Sequence, residues 1–291
     1  MKLGKDCFPC IISNFLKLLS IHQIPAEKEE NLLRHFLTYL ASADYEVSPP
    51  VFGREMHRMI RKQLNNNDPY ASIKKHYNQL MLNNYVHFKN MIEKAGNPYH
   101  MALRLAIAGN VIDFGSQQQF DIAETLERIT FTYPSIDDSP DLWNSLRKEQ
   151  TLLYIGDNCG EIVLDKLFLE TITVPNKYFA VRGRPVLNDV TLEDAKMVGI
   201  DKIATIISTG DDSPGVVWEY TSNEFKDVFR KSDVIISKGQ GNLEGLIDQP
   251  ANIYFLLVIK CNFIAMRLGA QKGDFIIMKS EKSLLDQTFP N

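Results

Sequence analysis

Cysteine is scarce. Four in 291 residues are too few for a disulfide framework, and nothing in their placement points to export. A surplus of positive charge is also missing: 32 Lys and Arg face 36 Asp and Glu, giving a net charge of −4 and a pI near 5.9. A phosphate-backbone partner therefore has no global electrostatic support, and no nucleic-acid partner is expected. Long apolar runs are absent too. The longest, at 253–259, is far too short to cross a bilayer and reads as a buried strand, so no membrane partner is expected. The start, Met1-Lys2-Leu3-Gly4-Lys5-Asp6, leads into a short interrupted apolar stretch unlike a signal peptide, and the expected compartment is the cytoplasm. There is no internal repeat, and no low-complexity tract beyond Asn65-Asn66-Asn67.

What is present is ordinary globular composition, 44% hydrophobic and 23% charged, in a chain long enough for one large domain or two smaller ones. Two rhythms divide it. Residues 11–21, 27–40, 56–64 and 73–95 carry apolar positions at helical spacing, punctuated as turns by Pro49-Pro50, the asparagine run and Gly96-Asn97-Pro98. From about residue 150, short apolar runs at 151–155, 178–181, 203–207, 234–236, 253–259 and 275–278 alternate with helical segments. Several of these segments open on capping residues, such as Thr191 with Asp194 three positions on, and Ser222. This alternation predicts βαβ units and an α/β fold: a helical N-terminal part, residues 1–115, packed on a doubly wound, mostly parallel α/β/α sandwich, residues 116–291. The polar stretch at 134–140 reads as a linker or an inter-element loop.

In an open parallel sheet, ligands bind beyond the carboxyl ends of the strands. Five consecutive predicted strand ends deliver matching chemistry: Gly156-Asp157-Asn158-Cys159-Gly160-Glu161; Arg182-Gly183-Arg184-Pro185 leading to Asn188-Asp189; Ser208-Thr209-Gly210-Asp211-Asp212; Ser237-Lys238-Gly239-Gln240-Gly241-Asn242; and Lys260-Cys261-Asn262. Each alone has a plain reading as a turn or a helix cap, and their joint occurrence at one edge points to a shared active site. Asp157, Asn158 and Asp189 are hard oxygen donors suited to a divalent ion such as Mg, Mn, Co or Ni. Lys238 and Arg182 are candidate phosphate clamps, and the backbone of Gly239 to Gly241 a candidate anion nest. A helix opening at Gly160 and Glu161 would favour an anion through its dipole.

The same motifs, together with Gly109-Asn110-Val111-Ile112-Asp113-Phe114-Gly115 and Cys7-Phe8-Pro9-Cys10, resemble the metal-dependent damage-control phosphatases. They follow one another in order over nearly the whole chain. The resemblance implies a divalent metal held by Asp157, Asn158 and Asp189 at the sheet edge, with Lys238 near the bound phosphate and Asn110 and Asp113 lining the pocket from the helical side. The expected activity is hydrolysis of small phosphorylated metabolites, namely sugar phosphates, nucleotides or damaged cofactor phosphates, by metal-activated water. The candidate catalytic residues are Asp157, Asn158, Lys238 and Glu161. The candidate substrate contacts are Arg182, Asn188, Gly239, Gly241, Asn110, Asp113 and Thr209.

The Asp-x-Asp nucleophile motif of the haloacid-dehalogenase phosphatases is absent, because Asn158 and Cys159 follow Asp157. That favours direct attack by water. A rival reading, a nucleotide- or methyl-donor-binding Rossmann-like protein such as a methyltransferase, rests on Gly239-x-Gly241. The fingerprint should follow the first strand as G-x-G-x-x-G, whereas here it follows the fourth apolar run, with Glu244 three positions after Gly241. A non-catalytic binding module would have no need of the clustered Asp157, Asn158 and Asp189. Cys7 and Cys10 have metal-ligand spacing but lack a second pair, so a structural role, a metal or redox role and no role at all stay open for them.

Overall fold

The computed structural model describes residues 1–111 and 131–280. Asp113 lies outside the described residues. Seven strands form one sheet: β1 (Ile136–Asp137), β2 (Thr151–Ile155), β3 (Asn176–Val181), β4 (Thr205–Ser208), β5 (Val234–Lys238), β6 (Ile253–Val258) and β7 (Phe275–Lys279), in the spatial order β1-β7-β6-β5-β2-β3-β4. Every neighbouring pair is parallel except β6 and β7. Helices cover both faces, so the central strands are continuous apolar runs: residues 152–155 and the whole of β6 are buried. From β2 the order runs through β3 to β4, then jumps back across β2 to β5. The switch point therefore lies between β2 and β5, where the fold opens a crevice at the carboxyl ends.

The six predicted strands are β2 to β7, and the fold class is the predicted one. Two details differ. Residues 134–140 are not a bare linker, because Ser135 N donates to Phe275 O (2.9 Å) and Asp138 N to Ile277 O (2.9 Å), laying β1 along β7. A two-residue strand has no period to read, and its partner lies about half the chain away. Pro49-Pro50 is not a turn but the first turn of a helix, where proline loses no intrahelical hydrogen bond.

Among the described residues, six α-helices precede the sheet: α1 (Cys7–Ile21), α2 (Ala26–Ser42), α3 (Pro49–Leu64), α4 (Ala71–Asn83), α5 (Tyr85–Lys94) and α6 (Pro98–Ala108). The periodic segment 73–95 is two helices, because the chain leaves helical geometry at Asn84, whose side chain instead donates to Leu80 O (3.0 Å). Between and after the strands come α7 (Ser139–Lys148), α8 (Glu161–Thr171), α9 (Leu192–Val198), α10 (Asn223–Lys231), α11 (Gln240–Leu246) and α12 (Asn262–Leu268). The predicted caps form: Asp194 accepts from Thr191 N (2.9 Å), and Ser222 accepts from Phe225 N (3.1 Å). Among the described residues, no helix is long and apolar enough to cross a membrane.

The helices of the first 111 residues are not all alike in their packing. α1, α2 and α3 bury Phe15, Phe36, Phe52 and Ile60 in a core of their own, whereas Phe88, Leu103 and Ala106 of α5 and α6 share the core of Tyr154 and Phe168. The α3 side is tied to the sheet edge by charge. Arg54, Arg58 and Arg61, spaced along one face of α3, converge on Asp211 and Asp212 after β4. Arg54 Nε lies 3.0 Å from Asp211, Arg58 Nη2 lies 2.6 Å from Asp212, and Arg61 also pairs with Asp212. Arg61 Nη1 further donates to Pro185 O (2.6 Å), so this one helix fixes two strand-end loops.

Burial pushes the Asp212 carboxyl up, but the hydrogen bonds and charges of Arg58 and Arg61 outweigh it and hold the group far below the usual carboxylate range. A depressed folded-state pKa contributes stability that is complete above the unfolded value of about 3.9 and is lost as pH falls below it. Asp212→Asn should thus cost roughly 3 kcal/mol at pH 7, the usual scale for breaking a buried pair and stranding its partners. The difference from the parent should shrink at pH 3. Urea unfolding at the two pH values measures both, and equal midpoints at pH 7 would remove the clamp from the account.

Candidate active site

The loop after β2 and the loop after β3 are joined by their backbones. Cys159 N donates to Asn188 O (2.8 Å) and Val190 N to Asp157 O (2.9 Å), and Asn158 and Asp189 form an antiparallel bridge. Parallel pairing of β2 with β3 brings the loops to the same edge, and these bonds set Asp157, Asn158 and Asp189 side by side.

Below them lies a buried polar stack. Asn110 Nδ2 donates to Asp157 Oδ2 (2.9 Å) and to Glu161 Oε2 (3.1 Å), and Asn158 Nδ2 donates to the same two atoms at 2.7 and 3.2 Å. Glu161 itself is fully buried at the first turn of α8. Its other oxygen accepts a hydrogen bond from Lys238, whose Nζ also donates to Asp165 Oδ1 (2.6 Å) and Ala106 O (2.8 Å). All three protons of the ammonium are spent and the side chain is wholly buried. Lys238, expected as a phosphate clamp in an open loop, is therefore a foundation under Glu161 and has no proton left for a ligand.

Asp157 and Asp189 are both held above the usual carboxylate range. Burial is the largest cause for each; for Asp157, repulsion from Glu161 and from Asp189 adds to it. Arg182 opposes this in both cases. Its Nε donates to Asp189 Oδ2 (2.6 Å), and its Nη2 lies 3.8 Å from Asp157 Oδ1. Lys260 also attracts the two carboxylates, and its side chain is exposed. Two crowded carboxylates that cannot both ionise cheaply are what a bound cation relieves. Among the described residues, no three His, Cys, Asp or Glu side chains gather to hold a metal. The third donor here is an amide: both Nδ2 protons of Asn158 face inward, which leaves Oδ1 as the atom for a cation. Two carboxylates and one amide oxygen suit a hard divalent ion with open positions.

The other expected contacts divide. Asn110 joins the carboxylates and Asn188 lends its carbonyl to the loop junction. Thr209 is buried with its N–H on Val181 O (2.8 Å) and anchors its loop. The expected nest of Gly239 to Gly241 is short of donors, because Gly239 N is used by Leu256 O (3.0 Å). Gly241 is small for packing, since a Cβ there would lie 2.4 Å from Pro214 O. The N–H of Gly160, the cap residue before α8, is likewise spent, donating to Asn78 Oδ1 (2.6 Å). Lys260 and Asn242 stood in the strand-end segments without a role of their own; Lys260 is marked by its place directly after the apolar run 253–259. Asp165, not singled out from the sequence, sits one turn from Glu161 with the apolar residues Ile162, Val163 and Leu164 between them, which is also a visible signal. Asn242 had none.

Residues 3–276 match the family described as the damage-control phosphatase ARMT1-like domain. The chain belongs to that family. It is 31% identical over 294 residues to a damage-control phosphatase of Pyrococcus horikoshii, spanning 98% of this chain and 100% of that relative. It is 29% identical over 229 residues to a damage-control phosphatase of Archaeoglobus fulgidus, covering 76% and 79% of the two chains. A protein of Methanocaldococcus jannaschii is 34% identical over 297 residues, with 96% of each chain covered. The crystal structure of a DUF89 family protein from Pyrococcus horikoshii superposes with a TM-score of 0.87 at 31% identity, covering 97% of this chain and 100% of that one. Membership in the damage-control phosphatases supports phosphatase chemistry on small phosphate esters, including damaged metabolites.

One backbone position is decisive for the site's geometry. Gly239 has φ 79° and ψ 159°, a region open essentially to glycine alone, and a Cβ there would stand 2.0 Å from Asp157 Oδ2. Gly239→Ala should displace the Asp157 carboxylate, cost about 1–3 kcal/mol in backbone strain, and cut turnover of a phosphate ester by at least roughly tenfold. Urea unfolding and steady-state kinetics read the two effects. Unchanged kinetics would mean that Asp157 does not need its present position.

Proposed function

We propose that this protein is a divalent-metal-dependent phosphatase that hydrolyses small phosphorylated metabolites at the β2–β5 switch point. The observation that carries this reading is the pair of adjacent buried carboxylates, Asp157 and Asp189, beside the amide of Asn158 and a single buried guanidinium. Asp157, Asn158 through Oδ1, and Asp189 would hold the ion, which would supply Lewis-acid polarisation of the phosphoryl group. Two carboxylates against a divalent charge leave the centre near neutral, so a phosphate dianion is not repelled.

The protein's own cations then set the substrate. Arg182 Nη1 is buried and has no partner among the described residues, which leaves it free for a phosphoryl oxygen. Lys260, exposed at the end of β6, supplies positive charge at the mouth. Glu161, locked by Lys238, fixes the amides of Asn110 and Asn158 and through them the carboxylate of Asp157. The overall acidic charge is compatible with an anionic substrate because these cations are concentrated at one edge.

The test is hydrolysis of p-nitrophenyl phosphate by metal-stripped protein, with Mg, Mn, Co or Ni added back. Activity is expected only with metal, and full turnover in excess chelator would overturn the reading. Lys260→Ala should raise KM by roughly 10–100-fold, the scale of one charge-assisted hydrogen bond, with less effect on kcat. An unchanged KM would place the substrate phosphate away from β6.

A further inference from the structure

Asn242, the third residue of α11, is fully buried and makes four hydrogen bonds to four different strand-end loops. Its Oδ1 accepts from Arg182 Nη2 (2.9 Å) after β3 and from Val216 N (2.9 Å) after β4. Its Nδ2 donates to Lys238 O (2.6 Å) at the end of β5 and to Gly156 O (3.2 Å) after β2. A primary amide offers two protons and two principal acceptor sites, so its capacity is full and its orientation fixed.

The consequence falls on Arg182. A guanidinium is planar and rigid, so two bonds made by different nitrogens fix its plane. Asp189 holds Nε and Asn242 holds Nη2, which leaves Nη1 as the one nitrogen without a partner among the described residues, on a side chain only 1% exposed. A buried charged donor left unpaired costs stability, and folded proteins rarely tolerate one without a reason. The first two bonds allow the third nitrogen only one direction.

We propose that Asn242 is a positioning residue that aims Arg182 Nη1 at the phosphoryl oxygen of the substrate. The inference rests on the phosphatase reading and deepens it. The amide touches no substrate; it acts by denying the guanidinium any other rotation and by tying that orientation to the loops that carry Asp157 and Lys238. Replacing it frees Arg182 to turn towards Asp157 and pair with it more closely, which would consume the donor the substrate needs.

A double-mutant cycle with p-nitrophenyl phosphate and saturating metal tests this. Asn242→Ala should lower kcat by roughly 10–100-fold in the parent. In the Arg182→Ala background the same change should have less than a twofold further effect, because the group it positions is gone. An equal loss in both backgrounds makes Asn242 a structural staple and overturns the proposal. Should the alanine variant not fold, the unmutated metal-loaded protein carries the test through ¹⁵N NMR of its arginine side chains. Inorganic phosphate should shift the Arg182 Nη signal, assigned by its loss in Arg182→Lys, and an unmoved signal overturns the proposal. The two failures are distinguishable: absence of all metal-dependent turnover and phosphate binding defeats the phosphatase reading itself, whereas turnover with an additive cycle defeats only the role of Asn242.

Discussion

A buried ammonium is the constraint on which the site depends. Lys238 Nζ is shut away from water at the end of β5, where burial alone would lower its pKa, yet the attraction of Asp165 and Glu161 outweighs this and raises it to about 12. The charge can be kept there only if those two carboxylates stay in place. Glu161 is thereby fixed as an acceptor, which in turn fixes the amides of Asn110 and Asn158 and the carboxylate of Asp157. The order runs from the core outward. The polar groups at the surface of the site have defined orientations because a chain of buried hydrogen bonds beneath them holds each one.

This arrangement also explains why the helical part and the sheet cannot be treated as independent in forming the site. Asn110 follows α6 yet donates to Asp157, and Ala106 of α6 supplies the third acceptor for Lys238. On the opposite side, α3 holds the loops after β3 and β4 through its arginines. The loops at a sheet edge are ordinarily the least constrained part of an α/β protein. Here they are gripped from both sides, and pre-organisation of this kind is what electrostatic catalysis needs, because dipoles already in place need not reorganise during the reaction.

Charge is distributed in the same logic. The site contains more carboxylates than it can comfortably ionise, and the compensating cations differ in what they can do: Lys238 is spent inside the protein, Arg182 is partly spent, and Lys260 is exposed. A cation's usefulness to a ligand depends on its unspent donors, not on its proximity alone, and on that measure Arg182 and Lys260 outrank Lys238.

The sequence by itself determined the fold class, six of the seven described strands and the edge at which the polar strand-end residues gather. These follow from local rules: apolar runs bounded by glycine and polar residues are strands, and in a parallel sheet whatever follows them gathers on one side. It also pointed to Asp157, Asn158 and Asp189 as neighbours, because adjacent parallel strands present adjacent loops. Only the tertiary structure decided which polar groups face a ligand and which support others. Lys238 and Arg182 look equivalent as cations after a strand, but Glu161 and Asp165 stand one turn apart on a helix that packs over Lys238 and not over Arg182. Asn242 stands in a strand-end segment, but its role carries no local mark, since three of its four partners lie between 26 and 86 residues away. Hydrogen-bond satisfaction is a property of the packed whole, and no period or spacing in the chain encodes it.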